Sequence, residues 1–482
     1  MNYKMMGKFI GNILMVEAVF MVPAMLISLW EAEFGAVTAF MWSLGALLLA
    51  AGGLMWLGRG CQKKFYAKEG LACVGLSWIA MSLLGCLPFF LSGVMPNYID
   101  ALFEIVSGFT TTGASILPAV EGLPKGILYW RSFSHWLGGM GVLVFLLAIS
   151  SSGGNGFTMH LLRAESPGPN VGKLVPKMKK TATILYLIYI LLTVLDVIFL
   201  LLGDMPLFEA VCTAFGTVGT GGFGVKNDSI AGYSPYIQNV CTVFMLLCGV
   251  NFSCYYLLLL RQVKSVFRDE ELRLYLGAVL GSVLLIVWNL RGFYDTLGET
   301  VRHAAFQVVT IITTTGFATT DYELWPGLSK AILLCLMILG ASAGSTGGGF
   351  KCGRALLVAK SLHRSVRQVV HPQKVEVVRL NGHPVDEKVL QNVNAYLAAY
   401  VIVTILSFLL ISLDGFSITT NLSAVFACFN NIGPGFEAVG PTCNYAAYSD
   451  FSKLVLTWDM LAGRLEIFPI LILATRSTWR HR

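Results

Sequence analysis

Apolar runs of about twenty residues recur along this chain, and no other feature restricts its fold as much. The stretches Ile10–Trp30, Ala36–Leu57, Leu71–Ser92, Ile184–Leu202 and Ala395–Leu413 approach or exceed the ~20 residues that a helix needs to cross a bilayer. In hydrocarbon each backbone N–H and C=O must find its partner within the protein, so such segments cross as helices. The composition agrees, because the 482 residues are 55% hydrophobic and only 13% charged, whereas a soluble chain carries roughly 25% charged residues. The chain therefore reads as an all-α polytopic membrane protein. Lys4 and Lys8 precede the first run in the manner of a signal peptide. That run is long enough to span and no small-residue cleavage site follows it, so it reads as a retained helix.

The net charge is +7, and its distribution says more than its sum. Basic residues cluster at the N-terminus and in Arg59–Lys68, Arg163–Lys180, Arg261–Arg273, Lys351–Lys388 and Arg476–Arg482. These blocks fall on one side of a consistent topology. The opposite loops carry mainly acids, among them Glu31, Asp100, Glu121, Asp204, Asp228, Asp321 and Glu437. The basic side, with both termini, is expected in the cytoplasm. The acidic side could concentrate cations near a mouth, or it could simply avoid positive charge outside.

A unit of about a hundred residues repeats four times, which bears on architecture before any single motif does. Each unit has a spanning apolar segment, then an apolar segment of ~10–12 residues that is too short to span. A Thr/Gly-rich or Asn/Gly-rich turn follows, and a second apolar segment leads back to a basic loop. The four turns can be laid over one another. The first holds Thr111, Thr112 and Gly113, and the third holds Thr314, Thr315 and Gly316. The fourth holds Asn431, Ile432 and Gly433. The second, with Gly219, Thr220, Gly221 and Gly222, can be aligned on either Gly219 or Gly222.

The bilayer explains these residue types. Irregular backbone at membrane depth is tolerated only inside protein or beside a water-filled cavity. A helix that enters without crossing ends there, and its C-terminus carries about half a negative charge. Glycine permits the positive φ that turns carbonyls toward an axis. Four such turns would form a ring of oxygens able to replace a cation's hydration shell.

The expected divisions are two N-terminal transmembrane helices at 1–58, then pore repeats at 59–155, 156–262 and 263–370. A cytoplasmic hairpin at 371–388 and a fourth repeat at 389–482 complete the chain. This gives about ten spanning helices and four pore helices around one pore.

Several segments are similar to the TrkH-type membrane subunits of bacterial Trk potassium uptake systems, within the Trk/Ktr/HKT superfamily. They are Ser107–Ser115, His135–Gly141, Phe306–Thr320, Gly344–Gly349, Asn430–Phe436 and Gly463–Phe468. The resemblance runs over essentially the whole chain. It implies a potassium-selective channel or transporter of the inner membrane, with K+ held by one glycine per repeat: Gly113, Gly222, Gly316 and Gly433. It also implies a homodimer with one pore per subunit and a cytosolic TrkA-type (RCK/KTN) nucleotide-binding partner. The nucleotide, ATP/ADP or NAD(H), would sit on that partner. Within the superfamily a serine at the first filter position goes with sodium permeation, so Gly113 favours potassium.

In the third repeat the helix from Pro326 to about Leu339 would reach only about 20 Å. Gly344, Ser345, Thr346, Gly347, Gly348 and Gly349 follow, a poor helix sequence at up to ~1 kcal/mol per glycine. A loop below the filter is expected, and the resemblance assigns gating to it and to the adjoining Lys351. A phosphate-binding loop is excluded by the missing G-K-[ST] ending. Arg464 lies twelve residues before Arg476, about 18 Å along a continuous helix. A charge at that depth faces an aqueous path or a partner. It reads as lining the pore and meeting the loop, with an ion pair to Asp459 or Glu466 as the alternative.

Lys351–Lys388 reads as a docking platform for the partner or for anionic lipid, with a short hairpin at Val375–Leu380 followed by Asn381-Gly382. The eleven cysteines are scattered and the seven histidines form no H-E-x-x-H. Neither a metal site nor an enzyme is indicated, and nothing points to nucleic acid. The alternative functions are a sodium-permeable or Na+/H+-coupled symporter and a secondary transporter of a small solute. Four like-oriented repeats argue against the last, which usually uses paired repeats.

Overall fold

The computed structural model describes residues 2–60, 67–139, 141, 178–373 and 376–479. Most of the expected Arg163–Lys180 basic loop, the end of the first repeat and the start of the hairpin segment lie outside these residues. Within them the regular structure is almost all helix, with only two pairs of two-residue strands.

Six helices are long and apolar enough to span alone: Tyr3–Trp30, Phe34–Leu57, Lys68–Leu91, Ala182–Leu201, Glu270–Asn289 and Glu387–Asp414. The first two belong to no repeat. Each of the other four opens one unit. A short helix follows in each unit, namely Tyr98–Phe109, Leu207–Val218, Leu297–Ile312 and Ile418–Phe429. Three have 12 residues, but the third has 16, longer than its sequence had implied. Its start is fixed by Thr296, whose hydroxyl caps Glu299 N at 3.2 Å.

Among the described residues the returning segments differ from the opening ones in being broken. In the second unit Pro235–Cys248 and Phe252–Leu259 meet at 85°. In the third, Gly327–Ile338 stops and a new helix starts at Cys352. In the fourth, the helix Asp450–Arg464 ends at Arg464, and Phe468–Ala474 restarts after Glu466 and Ile467 at φ 57° and 65°. Arg464 and Arg476 therefore do not share a continuous helix, and the 18 Å spacing does not apply.

Two apolar cores hold the units together. One joins the N-terminal pair of helices to the first and fourth units, through residues such as Ile13, Phe40, Phe109 and Met460. The other joins the second and third units, through residues such as Tyr189, Cys248, Ile311 and Met337. The four short helices converge between these cores.

Candidate functional site

All four short helices end in the same way. In the first, Thr111 N bonds Gly108 O at 3.0 Å and Thr112 N bonds Ser107 O at 2.8 Å. The matching pairs are Thr220 N to Thr217 O and Gly221 N to Gly216 O in the second unit. Thr314 N to Ile311 O and Thr315 N to Thr310 O follow in the third, and Asn431 N to Cys428 O and Ile432 N to Ala427 O in the fourth. This is a Schellman ending, which needs one left-handed residue. Thr111, Thr220, Thr314 and Asn431 supply it, at φ 54°, 52°, 58° and 57°. A β-branched threonine there is strained, so three of the four turns hold a conformation that their residue type disfavours.

Two residues later φ is positive again, at Gly113 (78°), Gly222 (78°), Gly316 (85°) and Gly433 (97°). Alternating hands along three residues direct successive carbonyls to one side. The amides of these turns are used in closing the helix ends. Among the described residues no protein donor reaches the carbonyl oxygens of Thr112, Gly221, Thr315 or Ile432.

The turns close a ring. A Cβ on Gly113 would collide with Gly221 O, and one on Gly222 with Thr315 O. On Gly316 it would meet Ile432 O, and on Gly433 it would lie 2.6 Å from Thr112 O. Each glycine thus faces the carbonyl that precedes the equivalent glycine of the next unit, in the order one, two, three, four and back to one. This geometry aligns the second turn on Gly222. Gly219 is instead the cap of its helix, at φ −70°.

The second turn lacks the threonines of its neighbours for a steric reason. In the first, Thr110 and Thr112 hydroxyls pair at 2.8 Å, as do those of Thr313 and Thr315 in the third. At Gly221 a Cβ would enter the imidazole of His135, and at Gly219 it would lie 2.7 Å from His135 O. His135 is fully buried. Its Nδ1 bonds Gly108 O at 2.9 Å and its Nε2 accepts from Phe223 N at 3.2 Å, so it braces the first short helix against the second turn. In the fourth turn Asn431 Nδ2 donates to Thr112 Oγ1 at 3.0 Å and to Met460 O at 2.9 Å, tying the last unit to the first.

Outside the ring, Arg131 Nε meets Glu104 Oε1 at 2.7 Å, and its guanidinium lies 3.5 Å from the centre of the Phe223 ring. The same Glu104 accepts from Ile116 N at 2.9 Å. One buried ion pair thereby fixes the outer ends of the first two turns. At the outer rim, the Ser417 and Thr420 hydroxyls hold the Glu437 carboxyl below the usual carboxylate range.

Below the ring the third unit forms a loop. Leu339–Gly340 and Phe350–Lys351 pair in parallel at its neck. Gly348 N donates to Thr314 Oγ1 at 2.6 Å, and a Cβ on Gly348 would lie 2.6 Å from Asn430 O. The loop therefore abuts the undersides of the third and fourth turns. Its other side fills the break of the second unit, where Ser342 N bonds Gly249 O at 3.1 Å and Phe252 N bonds Gly344 O at 3.0 Å. Lys351 Nζ folds back onto Gly347 O.

Arg464 reaches the same level from the fourth unit. Its Nη1 donates to Thr346 O at 2.8 Å, and its Nη2 to Gly139 O at 2.9 Å and to Gly138 O. It crosses from the loop to the first unit. The acids considered as its partners are engaged elsewhere: Glu466 pairs with Arg354, and Asp459 accepts from Ser407 Oγ at 2.6 Å.

The basic helix Cys352–Val370 differs from a free positive platform. Lys360 pairs with Glu270, Arg364 with Glu387 and Arg367 with Glu376. The hairpin is present, with Arg379–Leu380 antiparallel to His383–Pro384 around Asn381 and Gly382.

His135, Glu104, Arg131 and Glu271 belong to no motif that marks them individually as site residues. For Arg131 and His135 the available signal was a polar side chain inside an apolar returning segment, which in a membrane marks a buried partner.

The repeated helices and the ring of backbone oxygens define a polytopic membrane protein built to pass cations. The family described as TrkH, cation transport protein, matches residues 37–289 and 295–480. The Trk system potassium uptake protein TrkH of Salmonella typhimurium is 36% identical over 489 residues, covering 100% of both chains. The protein of that name from Escherichia coli K12 is 35% identical with the same coverage. The crystal structure of the potassium transporter TrkH from Vibrio parahaemolyticus superposes with a TM-score of 0.88 at 30% identity, over 100% of both chains. This chain belongs to the TrkH family.

Proposed function

We propose that this chain mediates potassium uptake across the cytoplasmic membrane through a single pore. The observation that carries this reading is the closed ring of Thr112–Gly113, Gly221–Gly222, Thr315–Gly316 and Ile432–Gly433. Backbone carbonyls without protein donors can stand in for water around a dehydrated ion, and the C-termini of four short helices point negative charge at it. Thr111, Thr220, Thr314 and Asn431 hold the turns. The names of the relatives as potassium uptake proteins support potassium as the cargo.

The loop Gly344–Gly349 with Lys351 and Arg464 acts in this reading as the obstruction below the filter. Control comes from a cytosolic TrkA-type nucleotide-binding subunit, with the nucleotide on that partner. The protein works as a homodimer in the inner membrane, with its basic loops inside.

The test is growth of a cell deficient in potassium uptake at low external potassium. Expression of this chain together with such a subunit is expected to restore growth. Failure with the protein present in the membrane, or accumulation of sodium in place of potassium, would contradict the reading and favour the sodium-permeable alternative.

A further inference from the structure

Three consecutive acids, Asp269, Glu270 and Glu271, stand at the start of the helix Glu270–Asn289. Acids in a first turn ordinarily just complement the helix dipole. Asp269 does cap its own helix, accepting from Leu272 N at 2.9 Å. All three side chains also bind outside the helix, and what they bind is a single stretch of chain.

Glu271 Oε1 accepts from Ala343 N at 2.6 Å and from Gly353 N at 2.9 Å. One carboxylate oxygen thus holds the backbone on both flanks of the loop. Gly353 allows that approach, because a Cβ there would lie 2.9 Å from the same oxygen and 3.1 Å from its carbon. Glu270 pairs with Lys360, whose Nζ also donates to Arg379 O at 2.7 Å. Asp269 Oδ2 accepts from Asn381 Nδ2 at 2.9 Å, and Glu270 N donates to Asn381 Oδ1 at 2.8 Å. Asn381 is in the turn of the cytoplasmic hairpin, at φ 51°.

We propose that Glu271 is the positioning residue that fixes the loop beneath the ring, and that Asp269, Glu270 and Glu271 form the joint tying the cytoplasmic hairpin to that loop. The proposal rests on the reading of the loop as an obstruction. Hydrogen bonds to a charged acceptor are the stronger kind, and both flanks depend on one oxygen, so removing the carboxylate releases them together. A force applied to the hairpin reaches the loop through one helical turn. That turn begins a helix anchored in the second core by Leu272, Tyr275 and Val279.

The test is tracer rubidium uptake into liposomes by the full chain, with folding followed by gel filtration. The variants are Glu271→Ala, Glu271→Gln, a chain shortened across 344–349, the shortened chain carrying Glu271→Ala, and Asn381→Gly. Glu271→Ala is expected to raise basal uptake about tenfold or more, because the bonds to both flanks of the loop are lost together. Glu271→Gln keeps an acceptor oxygen in place and is expected to raise uptake roughly threefold. Shortening the loop raises uptake, and adding Glu271→Ala to it gives no further increase. Asn381→Gly keeps the turn and is expected to raise uptake about twofold.

A shortened chain that leaks while Glu271→Ala does not would overturn the positioning role and leave the obstruction standing. Increases that multiply in the combined variant would also overturn it. If Glu271→Ala does not fold, Glu271→Gln carries the comparison, and unchanged uptake in that variant counts against Glu271. Unchanged uptake in Asn381→Gly removes the hairpin from the joint. A shortened chain that transports like the parent overturns both readings.

Discussion

The ring and the region beneath it are built on opposite principles. In the ring each unit contributes the same backbone: a Schellman ending, a left-handed residue and a glycine facing the next unit's carbonyl. Below it each unit contributes something different. The first offers the Gly138 and Gly139 carbonyls, the second a broken helix, the third a loop and the fourth Arg464. A coordination shell needs equivalent oxygens around one axis, which repetition supplies. An obstruction that must move needs only a few unequal contacts that can be exchanged.

The comparison can be broken by forcing the ring to be more symmetrical in sequence. Gly221→Thr would give the second turn the residue found in the first and third, but its side chain would enter the His135 ring. Overpacking of about 3 kcal/mol is expected to lower rubidium uptake by roughly a hundredfold or more, measured in liposomes at matched protein amounts. Normal uptake would mean that the His135 brace does not set the second turn.

The lower region responds in the other direction. On the proposed reading a fixed charge about 6 Å from the path at an effective dielectric near 20 repels the ion by about 3 kcal/mol. Arg464→Ala is then expected to raise uptake by up to about a hundredfold, while Arg464→Lys keeps the charge and stays within a few-fold of the parent. An alanine variant that folds and transports no faster would leave Arg464 a structural strut between Thr346 and Gly139.

Shortening the loop across 344–349 is expected to give a smaller rise, about tenfold, because Arg464 remains. On the proposed reading it also weakens control by a cytosolic subunit, read as a smaller change in uptake when that subunit is added. Loss of uptake in a folded protein would assign the loop a supporting role under Thr314 and Asn430.

What could be read from the sequence follows the same division. Features that recur were legible: the apolar spans, the short helices and the two Thr-Thr-Thr-Gly turns needed only local pattern. The register of the second turn was not, because glycine allows either alignment and only the facing carbonyls of the neighbouring units decide between them. The break after Arg464 was hidden too, since its left-handed residues are Glu466 and Ile467, types that rarely adopt that conformation. Arg464 could be flagged as a charge within an apolar stretch, but its carbonyl partners carry no sequence signal. The basic helix looked free for docking because Glu270, Glu376, Glu387 and Glu466, which neutralise it, are scattered along the chain.

The central claim is that four turns act as one ring. Its most direct test is the potassium-to-sodium permeability ratio of Gly113→Ala, Gly222→Ala, Gly316→Ala and Gly433→Ala, measured one at a time. Each added methyl collides with, or closely crowds, the next unit's carbonyl and strains a left-handed residue, which costs about 1–2 kcal/mol for the backbone alone. The ratio is expected to fall about tenfold or more in all four variants. A correctly inserted variant that keeps the parent ratio, at any one of the four positions, would contradict the ring.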